Sequence, residues 1–124
     1  MITGIGIDMV QIQRMERWRQ QPGLLERYFH PQELAAAFSR GRGADHSLAA
    51  RFAAKEAYGK ALGTGLNGIV LKDISVINRS NGRPEMQVVG TAMDALNKNG
   101  ANRIHLSLTH EQDNAAAVVV LEVL

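Results

Sequence analysis

Apolar and polar residues alternate from Ile2 to Val10, which predicts a β-strand. Side chains alternate across a strand, so Ile5, Ile7 and Met9 share one face and Gly4, Gly6, Asp8 and Val10 the other. From Gln11 to Gln20 the rhythm changes. Ile12, Met15 and Trp18 recur every third residue, predicting a helix whose Arg14 and Arg17 lie off the stripe and meet solvent. Pro22-Gly23 breaks the chain, Leu24 to Phe29 predicts a short helix, and Gln32 to Arg40 another with Pro31 in its first turn. Gly41 to Asp45 reads as a loop. Asp45 to Leu62 then predicts a long helix capped by the Asp45 side chain. Ten of these eighteen residues are apolar and are spread round most of the circumference, the pattern of a buried helix.

Beyond a glycine-rich run, Gly63 to Gly68, Val70 to Ile77 alternates as a strand. Ser80 to Pro84 is a hairpin turn and Met86 to Val89 the returning strand. Thr91 to Asn99 predicts a helix with Ala92, Met93, Ala95 and Leu96 inward and Gly100 as its C-terminal cap. Arg103 to His110 reads as a strand with Ile104, Leu106 and Leu108 toward a core and His105, Ser107 and Thr109 away from it. Ala115 to Val123 reads as a buried strand after a turn at Glu111 to Asn114. No repeat, linker or low-complexity tract divides the chain. The expectation is a single α+β domain over residues 1–124, with a mainly antiparallel sheet packed around a central helix.

A length of 124 residues suits one domain with a modest core. There is no cysteine, which excludes disulfides and thiolate metal sites and is compatible with a reducing cytoplasm. The start of the chain lacks the basic and long apolar regions of a signal peptide, and no stretch approaches the roughly 20 apolar residues of a membrane span. A cytoplasmic protein without membrane association is expected. The net charge is only +2, yet Arg14, Arg17, Arg19, Arg27, Arg40 and Arg42 crowd the first third against Glu16, Glu26 and Glu33. Such a region suits an acidic partner.

Two carboxylates carry the candidate chemistry. Asp8 shares its strand face with two glycines. Those glycines either admit the central helix closely, with Asp8 capping the next element, or clear space for a ligand beside the carboxylate. Glu56 stands on a helix side of small and apolar residues, Ala49, Phe52, Ala53 and Gly59. Lys60, four residues on, can pair with it along the helix. The alternative is a carboxylate held for a cation, since a buried one needs a pair or a metal. Gly63-Thr64-Gly65 matches neither the P-loop nor the dinucleotide fingerprint. His30, His46 and His105 lack zinc-site spacing. His110, beside Thr109 at a strand end, is open to a ligand or to an ordinary loop role.

Taken together, these segments resemble the holo-acyl-carrier-protein synthases, small bacterial 4′-phosphopantetheinyl transferases. The matching stretches are Gly4-Ile5-Gly6-Ile7-Asp8-Met9-Val10 and Arg51-Phe52-Ala53-Ala54-Lys55-Glu56-Ala57-Tyr58-Gly59-Lys60, followed by Gly63-Thr64-Gly65. Asn81-Gly82-Arg83-Pro84 and His105-Leu106-Ser107-Leu108-Thr109-His110 follow in order. Arg83 stands where lysine is common in the family, which keeps the charge but not its geometry. The resemblance implies transfer of the 4′-phosphopantetheine arm of coenzyme A to a serine of apo-acyl carrier protein, releasing adenosine 3′,5′-bisphosphate. It also implies Mg²⁺ and a homotrimer with sites between subunits.

On that resemblance Asp8 and Glu56 are the Mg²⁺ ligands, as a hard cation takes oxygen donors. Asp8, Glu56 and Lys60 form the catalytic set. Arg51, Lys60, Gly63, Thr64, Gly65, Thr109 and His110 contact coenzyme A, and Lys55 is a further candidate cation. Glu56 or a water on the metal takes the serine proton. Arg14 and Arg17 dock the acidic carrier protein, with Arg19 and Arg27 as additional candidates and Met15 or Trp18 as apolar anchors. Two other classes compete. A nucleic-acid-binding module would use the arginines, but no interleaved aromatic array or recognition motif accompanies them, and no nucleic-acid partner is expected. A hydrolase of nucleotide pyrophosphates would use the same carboxylates with water as nucleophile.

Overall fold

The computed structural model describes residues 1–124. In chain order it contains β1 (Ile2–Gln11), α1 (Gln13–Arg19), α2 (Leu24–Tyr28), α3 (Pro31–Phe38), α4 (Ala44–Leu62), β2 (Ile74–Asn78), β3 (Pro84–Val88), α5 (Gly90–Asn99), β4 (Arg103–His110) and β5 (Asn114–Glu122). Two antiparallel sheets result, one of order β1-β5-β4 and the other the β2–β3 hairpin. Helix α4 lies between them and is buried along most of its length, as its all-round apolar pattern predicts. No helix is long and apolar enough to cross a membrane.

What lets α4 lie so close to the sheet is the absence of side chains on β1. A Cβ added to Gly6 would fall 2.0 Å from the carbonyl oxygen of Ala57, and one on Gly4 would fall 1.9 Å from that of Ala61. Strand backbone therefore touches helix backbone, with Ala53, Ala57 and Ala61 completing a seam of small residues. The glycines admit the central helix, as one of the two readings open from the sequence has it, but Asp8 does not cap the next helix: Ile12 holds the N-cap position of α1. The large residues of β1 go the other way. Ile5, Ile7 and Met9 are 65%, 66% and 66% exposed. They sit opposite Val120, Val118 and Ala116 of β5, and in turn His105, Ser107 and Thr109 of β4, on the sheet face that α4 does not cover. The last strand is accordingly half-buried: Ala115, Ala117, Val119 and Leu121 face α4 and the residues between them do not.

Several local expectations are corrected by long-range contacts. Asp45 does not cap α4. Gly43 holds the N-cap position, and the Asp45 carboxylate instead accepts from Arg19 Nε at 2.7 Å and Nη2 at 3.0 Å. The residues expected to open a strand at Val70 form a single 3-10 turn, Leu71–Asp73, and pairing starts only at Ile74. Here Lys55 Nζ donates to the carbonyls of Leu71 (3.0 Å) and Ile74 (2.5 Å), and Val89 N–H donates to that of Asp73. The Val89–Asp73 bond continues the register of the hairpin by one pair, and beyond it Lys55 occupies the Leu71 carbonyl. Met93, expected inward, is partly exposed because α5 turns only Ala92 and Leu96 fully into the core. Gln11 stays in β1, so α1 begins two residues later than its periodicity suggests.

One buried ion pair ties the layers together. Lys55 Nζ lies 2.7 Å from Glu33 Oε1, with both side chains fully buried. Glu33 also accepts from His30 N–H at 3.0 Å, within a capping box, and from Val76 N–H at 3.0 Å. Every lysine donor has an acceptor, the condition for a buried charge to be tolerated. Burial pulls the Lys55 ammonium below its ordinary value, against the opposing pull of Glu33.

Candidate active site

The glycine seam brings two distant carboxylates together. Asp8 points to the helix face of β1, one alternation beyond Gly6, and Glu56 and Lys60 stand one turn apart on α4. Lys60 Nζ donates to Asp8 Oδ1 at 2.9 Å and to the Ile7 carbonyl at 3.1 Å. The lysine that helix spacing would give to Glu56 is thus taken by Asp8, and Glu56 has no ion-pair partner. Glu56 is half-buried. Burial pushes its carboxyl above the ordinary range and the nearby Asp8 charge adds to this, with Lys60 and Arg14 opposing. No third His, Cys, Asp or Glu joins the two to form a metal-binding cluster. The donor set is therefore two carboxylates, all oxygen. That set fits Mg²⁺, which is commonly held by one or two carboxylates plus phosphates.

A second cluster lies beside β4. Arg51 is 3% exposed and donates to the Ser47 hydroxyl and, at 2.8 Å, to Asn78 Oδ1. Its Nε is buried without a partner. Burial draws the guanidinium below its usual value, Glu33 opposes this and Arg40 adds to it. The guanidinium borders an open groove of about 640 Å³ that is also lined by Arg40, Arg42, His46 and His110. The rings of His46 and His110 meet edge-on with centroids 5.2 Å apart. Five side chains able to carry positive charge around one groove make an anion-binding surface.

The two clusters lie on different sides of α4, one at the β1 edge of the sheet and one at the β4 edge. Gly63 to Gly65 follow Lys60 at the C-terminus of α4, where Gly63 takes a left-handed φ of 81°. Thr64 borders a separate groove with Asn67, Thr91, Asp94 and Lys98. Thr109 and His110, read as neighbours, point to opposite sheet faces. His110 joins the basic groove, and Thr109 sits on the outer face opposite Ala116. Arg51, Thr109 and His110 are therefore not brought to Asp8, Glu56 and Lys60 within one chain. Lys55 belongs to neither cluster, being engaged with Glu33. Sequence reasoning misses Arg40, Arg42, His46 and Asn78 as site residues. The two arginines show there only as part of a basic region, and His46 meets His110 across 64 residues of chain that no local pattern links.

The α1 surface differs in one respect from expectation. Met15 is wholly buried and offers nothing to a partner, because its stripe packs on the core. Trp18 is half-buried. Its ring lies 4.8 Å from that of Phe52 and 5.2 Å from that of Tyr28, and the Arg14 guanidinium sits 5.9 Å above it. Arg17 and Arg27 are exposed, and Arg19 is held by Asp45.

Residues 4–120 match the family model described as the 4′-phosphopantetheinyl transferase superfamily. A holo-[acyl-carrier-protein] synthase of Treponema denticola is 57% identical over 122 residues, covering 98% of this chain and 99% of that one. Among solved structures, a holo-[acyl-carrier-protein] synthase from Neisseria meningitidis superposes with a TM-score of 0.87 at 35% identity, covering 98% of this chain and 99% of that one. One from Bacillus anthracis, described as in complex with CoA (3′,5′-ADP), gives 0.82 at 35% identity over 99% and 98%. The chain therefore belongs to the 4′-phosphopantetheinyl transferase superfamily, among its holo-[acyl-carrier-protein] synthases.

Proposed function

We propose that this chain, as one catalytic domain spanning residues 1–124, moves the 4′-phosphopantetheine arm of coenzyme A to a serine of apo-acyl carrier protein. The reaction depends on Mg²⁺ and takes place in the cytoplasm. The observation that carries the reading is the meeting of Asp8, Glu56 and Lys60 where β1 crosses α4, in a member of this family. Asp8 and Glu56 would hold the ion, and Mg²⁺ bound there would supply neutralisation of pyrophosphate charge. The serine hydroxyl attacks the phosphorus that carries pantetheine, and the bond to the nucleotide phosphate breaks, releasing adenosine 3′,5′-bisphosphate. Glu56 takes the serine proton, being the carboxylate here that has no ion-pair partner in its own chain. Lys60 offers its ammonium to the phosphates, and Gly63, Thr64 and Gly65 let backbone approach them.

Arg51 and His110, with Arg40, Arg42 and His46, receive the phosphorylated nucleotide end. Because these residues lie across α4 from Asp8, one site draws on two subunits of a homotrimer. The uncovered sheet face of Ile5, Ile7 and Met9 supports burial between subunits, and Thr109 lies on that same face. Arg14, Arg17 and the rim of Trp18 dock the acidic carrier protein. Neither nucleic acid nor membrane is a partner. Intact-mass spectrometry of apo-acyl carrier protein incubated with this protein, coenzyme A and Mg²⁺ should show a gain of about 340 Da that EDTA abolishes. No gain, with coenzyme A intact, would refute the transferase reading. Sedimentation should give three times the 13.5 kDa chain mass.

A further inference from the structure

We infer that Lys60 is a built-in competitor of the divalent cation at Asp8, so that metal entry and release of the Lys60 ammonium are one coupled event. The inference rests on the reading of Asp8 and Glu56 as the cation's ligands. Its ground is the pair of contacts that Lys60 makes on β1. The ammonium lies 2.9 Å from Asp8 Oδ1 and 3.1 Å from the Ile7 carbonyl oxygen, so two acceptors of one strand hold it against the carboxylate. Glu56, the other ligand, is left without a partner on the same helix face. A dication bound to Asp8 and the Lys60 ammonium seek the same carboxylate. Their repulsion is twice that of two unit charges at equal separation, so both cannot hold it at full strength.

Exposure decides which of the two side chains moves. The Asp8 side chain is 18% exposed and fixed by the strand, whereas that of Lys60 is 54% exposed on a flexible four-carbon stem. Lys60 yields by turning outward into solvent, at little cost. Once off Asp8, the ammonium is free for an anionic group near the carboxylates, and the substrate carries phosphates. Metal binding thereby readies the cation that meets the leaving phosphate. Linkage makes the coupling reciprocal: whatever draws Lys60 away from Asp8 tightens the metal by the same factor.

The test is Mn²⁺ binding, followed by the electron paramagnetic resonance of free Mn²⁺, on EDTA-stripped protein without coenzyme A. Wild type, Lys60→Met, Lys60→Arg and Asp8→Asn are compared. Lys60→Met should tighten Mn²⁺ by about fivefold, the order expected for removing one partly exposed ion pair. Lys60→Arg keeps the competing charge and should stay near wild type, and Asp8→Asn should lose binding. Equal or weaker Mn²⁺ binding by Lys60→Met, with wild type binding normally, would overturn the competition and leave the carboxylate site intact. Absence of Mn²⁺ binding in both wild type and Lys60→Met would overturn the competition together with the metal reading beneath it.

Discussion

Replacing Gly6 with alanine should damage stability and turnover together, by amounts that follow from the strand–helix seam. The added Cβ would lie 2.0 Å from the Ala57 carbonyl oxygen and 2.6 Å from the Ala61 nitrogen. Ordinary contact begins near 3.4 Å, so β1 and α4 must separate by about 1.4 Å. Both obstructing atoms are backbone in a buried helix and cannot turn aside as a side chain would. Overpacking costs typically about 1–3 kcal/mol, and this site belongs at the upper end. With an unfolding entropy of about 2.1 cal/mol/K per residue, a loss of about 3 kcal/mol lowers the melting temperature by about 12 °C. Asp8 lies two residues along the strand and moves with it. A misplacement of this order costs about 100-fold in kcat. Calorimetry and the carrier-protein mass assay read the two effects. Gly43→Ala is the control, because its Cβ would meet only Arg40 Cβ at 3.5 Å, and it should shift melting by no more than about 4 °C. A Gly6→Ala protein that melts within about 2 °C of wild type and turns over normally would refute the reasoning.

Glu56→Gln should stabilise the EDTA-treated protein at pH 8. The folded-state affinity of Glu56 for its proton is raised, so its contribution to stability is present below the unfolded pKa of about 4.3 and lost as pH rises through the higher folded value. Urea titration should therefore show an advantage for the Glu56→Gln variant that shrinks toward pH 4, and a pH-independent difference would count against it. Lys55→Met leaves Glu33 charged and buried, and should cost about 3–5 kcal/mol in urea denaturation. Adding Glu33→Leu should recover part of that loss, and a strictly additive double variant would contradict the pairing. Arg14→Glu should raise the KM for carrier protein about tenfold while the Kd for coenzyme A, by calorimetry, stays within twofold. Equal damage to both would remove Arg14 from the docking surface.

The repeating parts of the fold were legible because period and burial agree in them. The central helix follows from its all-round apolar run, the hairpin from the turn residues at Ser80 to Pro84, and β4 from its alternation. The carboxylate pair was half legible. The glycines around Asp8 signal close approach, and the greasy surroundings of Glu56 signal an unusual carboxylate, but nothing local states that the two face each other. The departures share one physical cause, a distant partner displacing a near one. Asp45 goes to Arg19, Lys60 goes to Asp8, and Lys55 goes to Glu33 and to the carbonyls of Leu71 and Ile74. Such choices depend on which elements are packed side by side, and a spacing rule within one helix does not contain that information.

The inversion of β1, with small residues toward the helix and large ones outward, would separate the genetics of folding from that of the proposed assembly. In most strands the big apolar residues are the ones the core cannot lose. Here the core holds the strand through glycine backbone and Val10, and Ile5, Ile7 and Met9 add almost nothing to the interior of their own subunit. Mutational damage to this strand should therefore sort by parity. Gly4, Gly6 and Val10 would report on whether the chain folds, Asp8 on the site, and Ile5, Ile7 and Met9 on the outer sheet face proposed above as a subunit contact. On the homotrimer proposed above, a resurfacing scheme that polished the three exposed apolar residues into threonines would leave a well-formed subunit with its carboxylates in place and no neighbour to work with.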